Sequence, residues 1–387
     1  MTPPLLFVSG EYPPDVGGVG DYTEHLRGAL AVLGWQSGVL GRRQVQRWDA
    51  RSLFALVRTA PRTGVVHIQY QAGAYDLLGD VCLMPTLLRR FRPRTRVVTT
   101  FHDARPPYLF PKAGRWRDKA VRLLARTSHA VVAADARDLA ALGGPSPRHH
   151  HVPIGPNVPC APPVGYDRLA FRTALGLQPE TLALVYFGLR NASKGLDLLL
   201  DTFQLIAVQR ANTRLLLLGG EVGASDPTDR ETALLLRQRL DQSPAQPGGG
   251  HGQGALQPGS GLGQSVLQTG WLPPAQLSAY LLAGDIALLP YADGASPRRG
   301  SLLACAEHGL PIVSTTPAAA EVADAIHAVA PEPRRLAEAI LSLAQTPLDA
   351  ARLRDSARAL ATRAAWPRIA EAHVHIYERL LNSFPLP

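Results

Sequence analysis

The feature that most constrains this chain is an alternation of short, continuous apolar runs with stretches of helical spacing. Leu5–Ser9, Val65–Tyr70, Val97–Phe101 and Ala130–Ala133 are such runs. A strand covered on both faces needs a continuous apolar run, whereas a half-exposed strand alternates. After the first run, Tyr22, Leu26, Leu30 and Leu33 recur at helical spacing in a stretch that starts near Asp21. Strand–helix–strand series of this kind build parallel sheets, because a parallel pairing needs a crossover and a helix supplies it. The pattern fades over the proline- and glycine-rich stretch Pro153–Pro163 and then resumes. The second series has Leu182–Phe187, Arg214–Leu218, Val266–Thr269, Ile286–Pro290 and Pro311–Thr315 as strands. Helices are expected between them, for example over Leu196–Ala207 and Gln276–Ala283.

A chain of 387 residues is too long for one ordinary core and suits two. The expected class is therefore α/β, with one parallel-sheet domain over 1–160 and a second over 161–365. Gln242–Gln264 interrupts the second series with glycine, proline and glutamine, which cannot build a core. It is expected to be a flexible surface insertion, with His251 in solvent.

Composition narrows the setting. No uninterrupted apolar run of about 18 residues occurs, so a membrane-spanning helix is not expected. The N-terminus lacks a basic leader followed by a long apolar stretch, and a cytoplasmic location is expected. Cys82, Cys160 and Cys305 are far apart and odd in number, which points to neither a disulfide framework nor a zinc site. The net charge is +9, carried almost entirely by arginine; lysine occurs only at Lys112, Lys119 and Lys194. This charge permits nucleic acid, anionic lipid or a phosphorylated ligand. No RNA-binding or zinc-finger pattern accompanies it, so nucleic acid is not expected.

Four segments carry candidate chemistry. Pro13–Gly20 follows the first strand and opens a helix; its glycines let a ligand approach the backbone, and a helix N-terminus favours anions. Its spacing is not the dinucleotide fingerprint. Thr100-Phe101-His102-Asp103 stands at the C-terminal end of a strand, where open α/β sheets bind ligands. His67 lies inside an apolar strand and reads equally well as a core histidine. Phe187–Asp197 follows the first strand of the second series; Lys194 there is a compact cation at a helix start, with Arg190 a second candidate. Tyr291–Ser301 again links a strand to a helix, and Arg298, Arg299, Gly300 and Ser301 resemble the parts of a diphosphate cradle.

Two basic stretches also stand out: Arg89, Arg90, Arg92, Arg94 and Arg96 in one, and Arg115, Trp116, Arg117, Lys119, Arg122 and Arg126 in the other. Either a solvated basic face or contact with anionic lipid headgroups fits them. His149-His150-His151 would alternate direction in a strand and not converge on one metal.

Taken in order, these segments resemble the GT-B fold glycosyltransferases of family four, the large retaining group. The resemblance covers nearly the whole chain outside the glycine-rich insertion. It rests on PP-x-x-GG-V-G-x-Y at Pro13–Tyr22, T-x-H-D within Thr99–Asp103 and P-x-G-x-N at Pro153–Asn157. It continues with the glycine-to-KG-x-D segment Gly188–Asp197, with Gly270–Pro273 before Gly284-Asp285, and with H/C-G-x-P-I/V-V at His308–Val313.

The resemblance implies two Rossmann-like domains facing a central cleft, with the nucleotide-sugar donor on the second and the acceptor on the first. It also implies a C-terminal helix, within 366–387, that crosses back to the N-terminal domain. It implies no cofactor or metal, and transfer with retention. The expected acceptor is a glycan, a lipid-linked molecule or another glycoconjugate, and the basic stretches point to peripheral contact with an anionic membrane. Gly17 and Gly18 would line the site near the diphosphate and sugar. His102 would approach the transferred sugar, and Lys194 would hold the leaving diphosphate. Arg190 stands beside the position where the family often has arginine, which here is Leu189. The family's paired glutamates, just before the H/C-G-x-P segment, align with Ser296 and Ala304. Asp293 and Glu307 lie nearby as substitutes, and Arg298, Arg299 and Ser301 would add diphosphate contacts. This departure leaves open a catalytically inactive relative that acts as a binding or partner subunit. A nucleotide-sugar epimerase shares the fold and is a further alternative.

Overall fold

The computed structural model describes residues 2–15, 17–76, 79–104, 114–188, 194–220, 238–239 and 265–383. Gln242–Gln264 and Leu189–Ser193, the latter with Arg190, lie outside the described residues. The chain divides into two units, Met1–Gly155 with Ala364–Pro387, and Pro156–Arg363.

The first unit has strands β1 (Leu5–Ser9), β2 (Ser37–Leu40), β3 (Gly64–Tyr70), β4 (Thr95–Phe101), β5 (Ala130–Ala133) and β6 (His149–His151). They form one sheet in the order β2-β1-β3-β4-β5-β6, and each adjacent pair is parallel. Its helices are α1 (Gly18–Val32), α2 (Ala50–Thr59), α3 (Met84–Phe91), α4 (Gly114–Thr127) and α5 (Ala136–Ala141). Successive strand residues face opposite sides, so the continuous apolar runs feed two cores. Val8, Ile68 and Phe101 pack with Trp48 and Tyr75 on one side. Phe7, Val65 and Val98 pack with Leu26, Leu30 and Tyr377 on the other.

The second unit has β7 (Leu182–Phe187), β8 (Thr213–Leu218), β9 (Val266–Gln268), β10 (Ile286–Leu289), β11 (Ile312–Thr315) and β12 (His327–Val329). Their order is β12-β11-β10-β7-β8-β9, again all parallel. Its helices are α6 (Arg168–Ala174), α7 (Leu196–Gln209), α8 (Pro274–Ala283), α9 (Gly300–Glu307), α10 (Pro333–Gln345) and α11 (Pro347–Arg363). Leu184, Tyr186, Leu215, Leu217 and Leu288 form its core with Phe203 and Ile340. A buried Arg172 ties α6 to this sheet. It donates to the carbonyls of Ala283 and Thr181 and pairs with Asp285 at 3.1 Å.

The last helix, α12 (Trp366–Asn382), belongs to the first unit and packs on α1. Its indole Trp366 stacks on His25 with centroids 5.2 Å apart. Gly155 has no alternative there: a Cβ would sit 2.4 Å from Trp366 Cε2. The first division falls a few residues before the sequence boundary at 160, because the linker already packs on the second unit. A Cβ on Gly300 would lie 3.2 Å from the Asn157 side chain.

Strands β2 and β12 escaped the sequence reading. Both are sheet edges and partly exposed, so neither carries a continuous apolar run. The three adjacent histidines do form a strand. His149 Nδ1 lies 2.6 Å from the Gly144 carbonyl and His151 Nε2 3.2 Å from that of Ala134, so these two rings serve the local backbone. No helix among the described residues is long and apolar enough to cross a membrane.

Candidate functional site

In the second unit, the candidate residues meet at the C-terminal ends of β7 and β10, which are neighbours in the sheet. Gly195 makes the meeting possible. Its φ is +66°, and a Cβ would fall 1.9 Å from the Pro290 carbonyl oxygen, so the two loops touch only with glycine there. Lys194 Nζ then stands 3.4 Å from Ser301 Oγ and 5.1 Å above the Tyr291 ring. Ser301 Oγ is also bonded to Tyr291 Oη at 2.8 Å. The Arg299 guanidinium lies 4.8 Å from the same ring and is paired with Asp293.

Helix α9 begins here with Arg299 as its N-cap and no side-chain cap bond. Among the described residues no side chain caps its first N–H groups, and the helix end carries partial positive charge. Burial, the Arg299 charge and, in the opposite sense, Asp293 together bring the Lys194 ammonium down to about 7. A cation held this way gains most from an incoming anion, because the anion supplies the stabilisation that water no longer does.

Gly300 and Ser301 thus join Lys194 and Arg299, and Arg298 lies half-buried one residue earlier. Ser296 is buried, and Ala304 is fully buried at the second position where the resemblance expects a glutamate. Glu307 is not brought to this group. It lies six residues beyond Ser301, about 9 Å along the helix axis, and its charge acts on Cys160 instead. Tyr291, which joins both cations, was missed in the sequence. A strand-end tyrosine gives no sign of whether it faces core or ligand.

In the first unit, α1 follows β1 in the chain. Gly17 is the N-cap of α1, extended and without a side-chain cap bond. A Cβ on it would meet Glu11 Oε2 at 2.0 Å, whereas one on Gly18 would meet nothing within 4 Å. A side chain at Gly17 would therefore displace the end of the Glu11 side chain, whereas Gly18 leaves open space at a helix start. Burial raises the Glu11 carboxyl above its usual range, against the opposing effect of Arg42.

His102 follows β4, and its backbone N–H donates to the Tyr70 carbonyl at 2.9 Å. Its Nε2 lies 2.8 Å from Gln69 Oε1, and Tyr22 meets the ring edge-on at 4.7 Å. Burial, reinforced by His373, lowers its ionisation to about 3, so the ring is neutral at pH 7. His67 is a core histidine: it is fully buried, bonded to Tyr377 Oη and to Thr100 Oγ1, each at 2.7 Å. Gln69, a polar residue in an apolar run, was the sequence signal left unused.

Among the described residues no group of three or more His, Cys, Asp and Glu side chains is placed to hold a metal ion. A surface cavity of about 670 Å³ lies between α7 and α10, lined by Asp201, Leu205, Val208, Glu332 and Arg334 among others. It includes none of the motif residues, and the strand-end position of Lys194 and His102 is the stronger indication of a site.

Two units, each a parallel sheet wrapped by helices, with ligand-type loops at the strand ends, define the α/β class of the GT-B fold. Residues 181–346 match the family of glycosyl transferases group 1. Solved structures of similar fold include a sucrose-phosphate synthase from Thermosynechococcus elongatus, with a TM-score of 0.72 and 17% identity over 99% of this chain and 100% of that one. Another is Anabaena HepE in complex with UDP and glucose, with a TM-score of 0.68 and 15% identity over 99% and 100% of the two chains. A third is a UDP-forming trehalose-phosphate synthase from Burkholderia xenovorans in complex with glucose-6-phosphate, with a TM-score of 0.66 and 14% identity over 98% and 99%. No curated protein matches the chain in sequence.

Proposed function

We propose that the protein is a glycosyltransferase that uses a nucleotide-diphosphate sugar held by the second unit and an acceptor held by the first. The observation that carries this reading is the convergence of Lys194, Ser301 and Arg299 on the uncapped N-terminus of α9. That group lies wholly within the segment matching glycosyl transferases group 1. Two solved structures of the same fold contain UDP with glucose, or glucose-6-phosphate.

In the proposed reaction the bond from the anomeric carbon to the β-phosphate oxygen breaks and the nucleoside diphosphate departs. An acceptor hydroxyl forms the new glycosidic bond on the same face, and its proton passes to the departing diphosphate. Lys194 and the helix N-terminus stabilise the charge that develops on that diphosphate, in the role a metal ion plays elsewhere, so no cofactor is required. His102 contacts the transferred sugar; Gly17 and Gly18 admit it close to the backbone.

The acceptor we propose is lipid-linked. In the first unit, α2 packs on α3 and α3 on α4. Phe54, Phe91 and Trp116 are exposed there, with the Lys119 ammonium 4.9 Å above the Trp116 ring. Exposed aromatics among arginines such as Arg89, Arg90 and Arg122 suit an anionic headgroup layer. Arg92 and Arg96 are instead spent on backbone carbonyls of Arg58 and Leu380.

The test is a thermal-shift screen against nucleoside diphosphates and their sugars, followed by a transfer assay with NMR of the product anomer. Stabilisation by one diphosphate family, lost in Lys194→Ala, supports the donor site; a retained anomer supports the stereochemistry. The absence of carboxylates at Ser296 and Ala304 favours a second reading, a relative that binds a nucleotide sugar without transferring it. Donor binding with neither transfer nor donor hydrolysis would select that reading.

A further inference from the structure

The end of β3 lies beside β4, with Gln69 opposite Thr100 and, on the other side, opposite Ser9. Gln69 is fully buried in a strand otherwise filled by apolar residues and His67. Its Oε1 lies 2.8 Å from His102 Nε2. An amide oxygen only accepts, so the ring nitrogen facing it donates, and a neutral imidazole has one N–H. His102 Nδ1 is then a free lone pair, and among the described residues it makes no hydrogen bond. Tyr22 holds the ring from its edge at 4.7 Å, and the main chain is pinned to Tyr70. The Gln69 carbonyl is fixed in turn by Tyr75 Oη at 3.0 Å.

The Gln69 side chain is costly where it stands. Its Nε2 is buried without a hydrogen-bond partner. A buried donor left unpaired opposes folding, and an apolar residue of the same size would avoid the loss. The His102 bond is what the side chain supplies in return.

We propose that Gln69 is a positioning residue that holds His102 in the Nε2–H tautomer, so that Nδ1 accepts a hydrogen bond from a hydroxyl of the transferred sugar. The second half of this rests on His102 being the sugar contact; the first half does not. Burial holds the ring neutral, with ionisation near 3, and His373 from α12 opposes its charge. The Tyr22 hydroxyl is itself pushed up by burial and stays neutral beside it. An acceptor at Nδ1 selects hydroxyl donors and disfavours a carbonyl or carboxylate at that place.

The experiment is NMR of the full chain labelled with ¹⁵N-histidine, with His102→Gln identifying the signal. At pH 7 the wild type is expected to show His102 as a single Nε2–H tautomer. Gln69→Leu is expected to fold with an undiminished melting temperature, to show mixed tautomers, and to lower kcat by on the order of 10²-fold through misplacement. Gln69→Glu keeps the size and the accepting oxygen and raises the His102 ionisation, so its kcat at saturating donor gains an acid-side limb above about pH 5 that the wild type lacks, apart from the alkaline fall in donor affinity set by Lys194. An unchanged Nε2–H tautomer in Gln69→Leu overturns the proposal. A changed tautomer with unchanged transfer overturns the sugar contact while tautomer control by Gln69 stands, which separates the two failures.

Discussion

Lys194 Nζ and Ser301 Oγ lie 3.4 Å apart although 107 residues separate them in the chain. The contact spans two loops that follow neighbouring strands, β7 and β10, and it places a cation at the start of α9. Lys194→Ala is expected to abolish stabilisation by nucleoside diphosphates and to lower turnover by about 10²–10³-fold. Melting temperature with and without ligand, and steady-state kinetics, check it. Unaltered ligand stabilisation would place the diphosphate elsewhere.

Binding should also take up a proton. The free Lys194 ammonium titrates at about 7 because it is buried beside Arg299. A bound diphosphate raises that value, since the complex keeps the proton. Below the free value the lysine is already charged and affinity is flat. Above it, affinity falls with pH, by at most about tenfold per unit. Calorimetry in buffers of different ionisation enthalpy measures the uptake directly, and no uptake at pH 8 contradicts it.

The glycines should separate packing from ligand access. Gly195→Ala forces a Cβ within 1.9 Å of the Pro290 carbonyl at φ +66°, and at least about 1–3 kcal/mol of stability should be lost to backbone strain alone. Gly18→Ala introduces a methyl group into open space at the start of α1 and should leave stability unchanged or raise it by up to about 1 kcal/mol. Denaturant unfolding distinguishes them. Reduced activity in a fully stable Gly18→Ala would mark that space as occupied by substrate.

Acid should loosen the first unit. His373 is fully buried on α12, and burial, with a contribution from His150, lowers its ionisation to about 4. Unfolded histidine titrates near 6.5, so between these values the unfolded chain binds more protons. The stability is present above about pH 6.5 and is lost as pH falls towards 4, by about 3 kcal/mol for this residue. His67 shifts in the same direction. His373→Leu should flatten the stability–pH curve in that window; an unchanged slope would assign the acid sensitivity elsewhere.

Much of this was legible in the chain. The continuous apolar runs located the central strands, because a strand buried on both faces admits few polar side chains. They were silent about β2 and β12, whose edge positions relax that demand. The motif reading set Lys194, Ser301 and Arg299 in segments after strands, and β7 and β10 precede them. It could not tell that Glu307, at the far end of α9, would lie away from that group. Gln69 was visible as an odd polar residue, but its partner was not.

The sequence alone therefore determined the alternation of strand and helix, the doubling into two α/β units and the loops in which the candidate groups lie. These follow from local periodicity and from the few residues that permit tight backbone turns. The tertiary structure decided which of those loops meet. Strand order sets that, and it pairs β7 with β10 and β3 with β4. Lys194 reaches Ser301, and Gln69 reaches His102, because hydrogen bonding between parallel strands aligns their C-terminal ends irrespective of the length of chain between them.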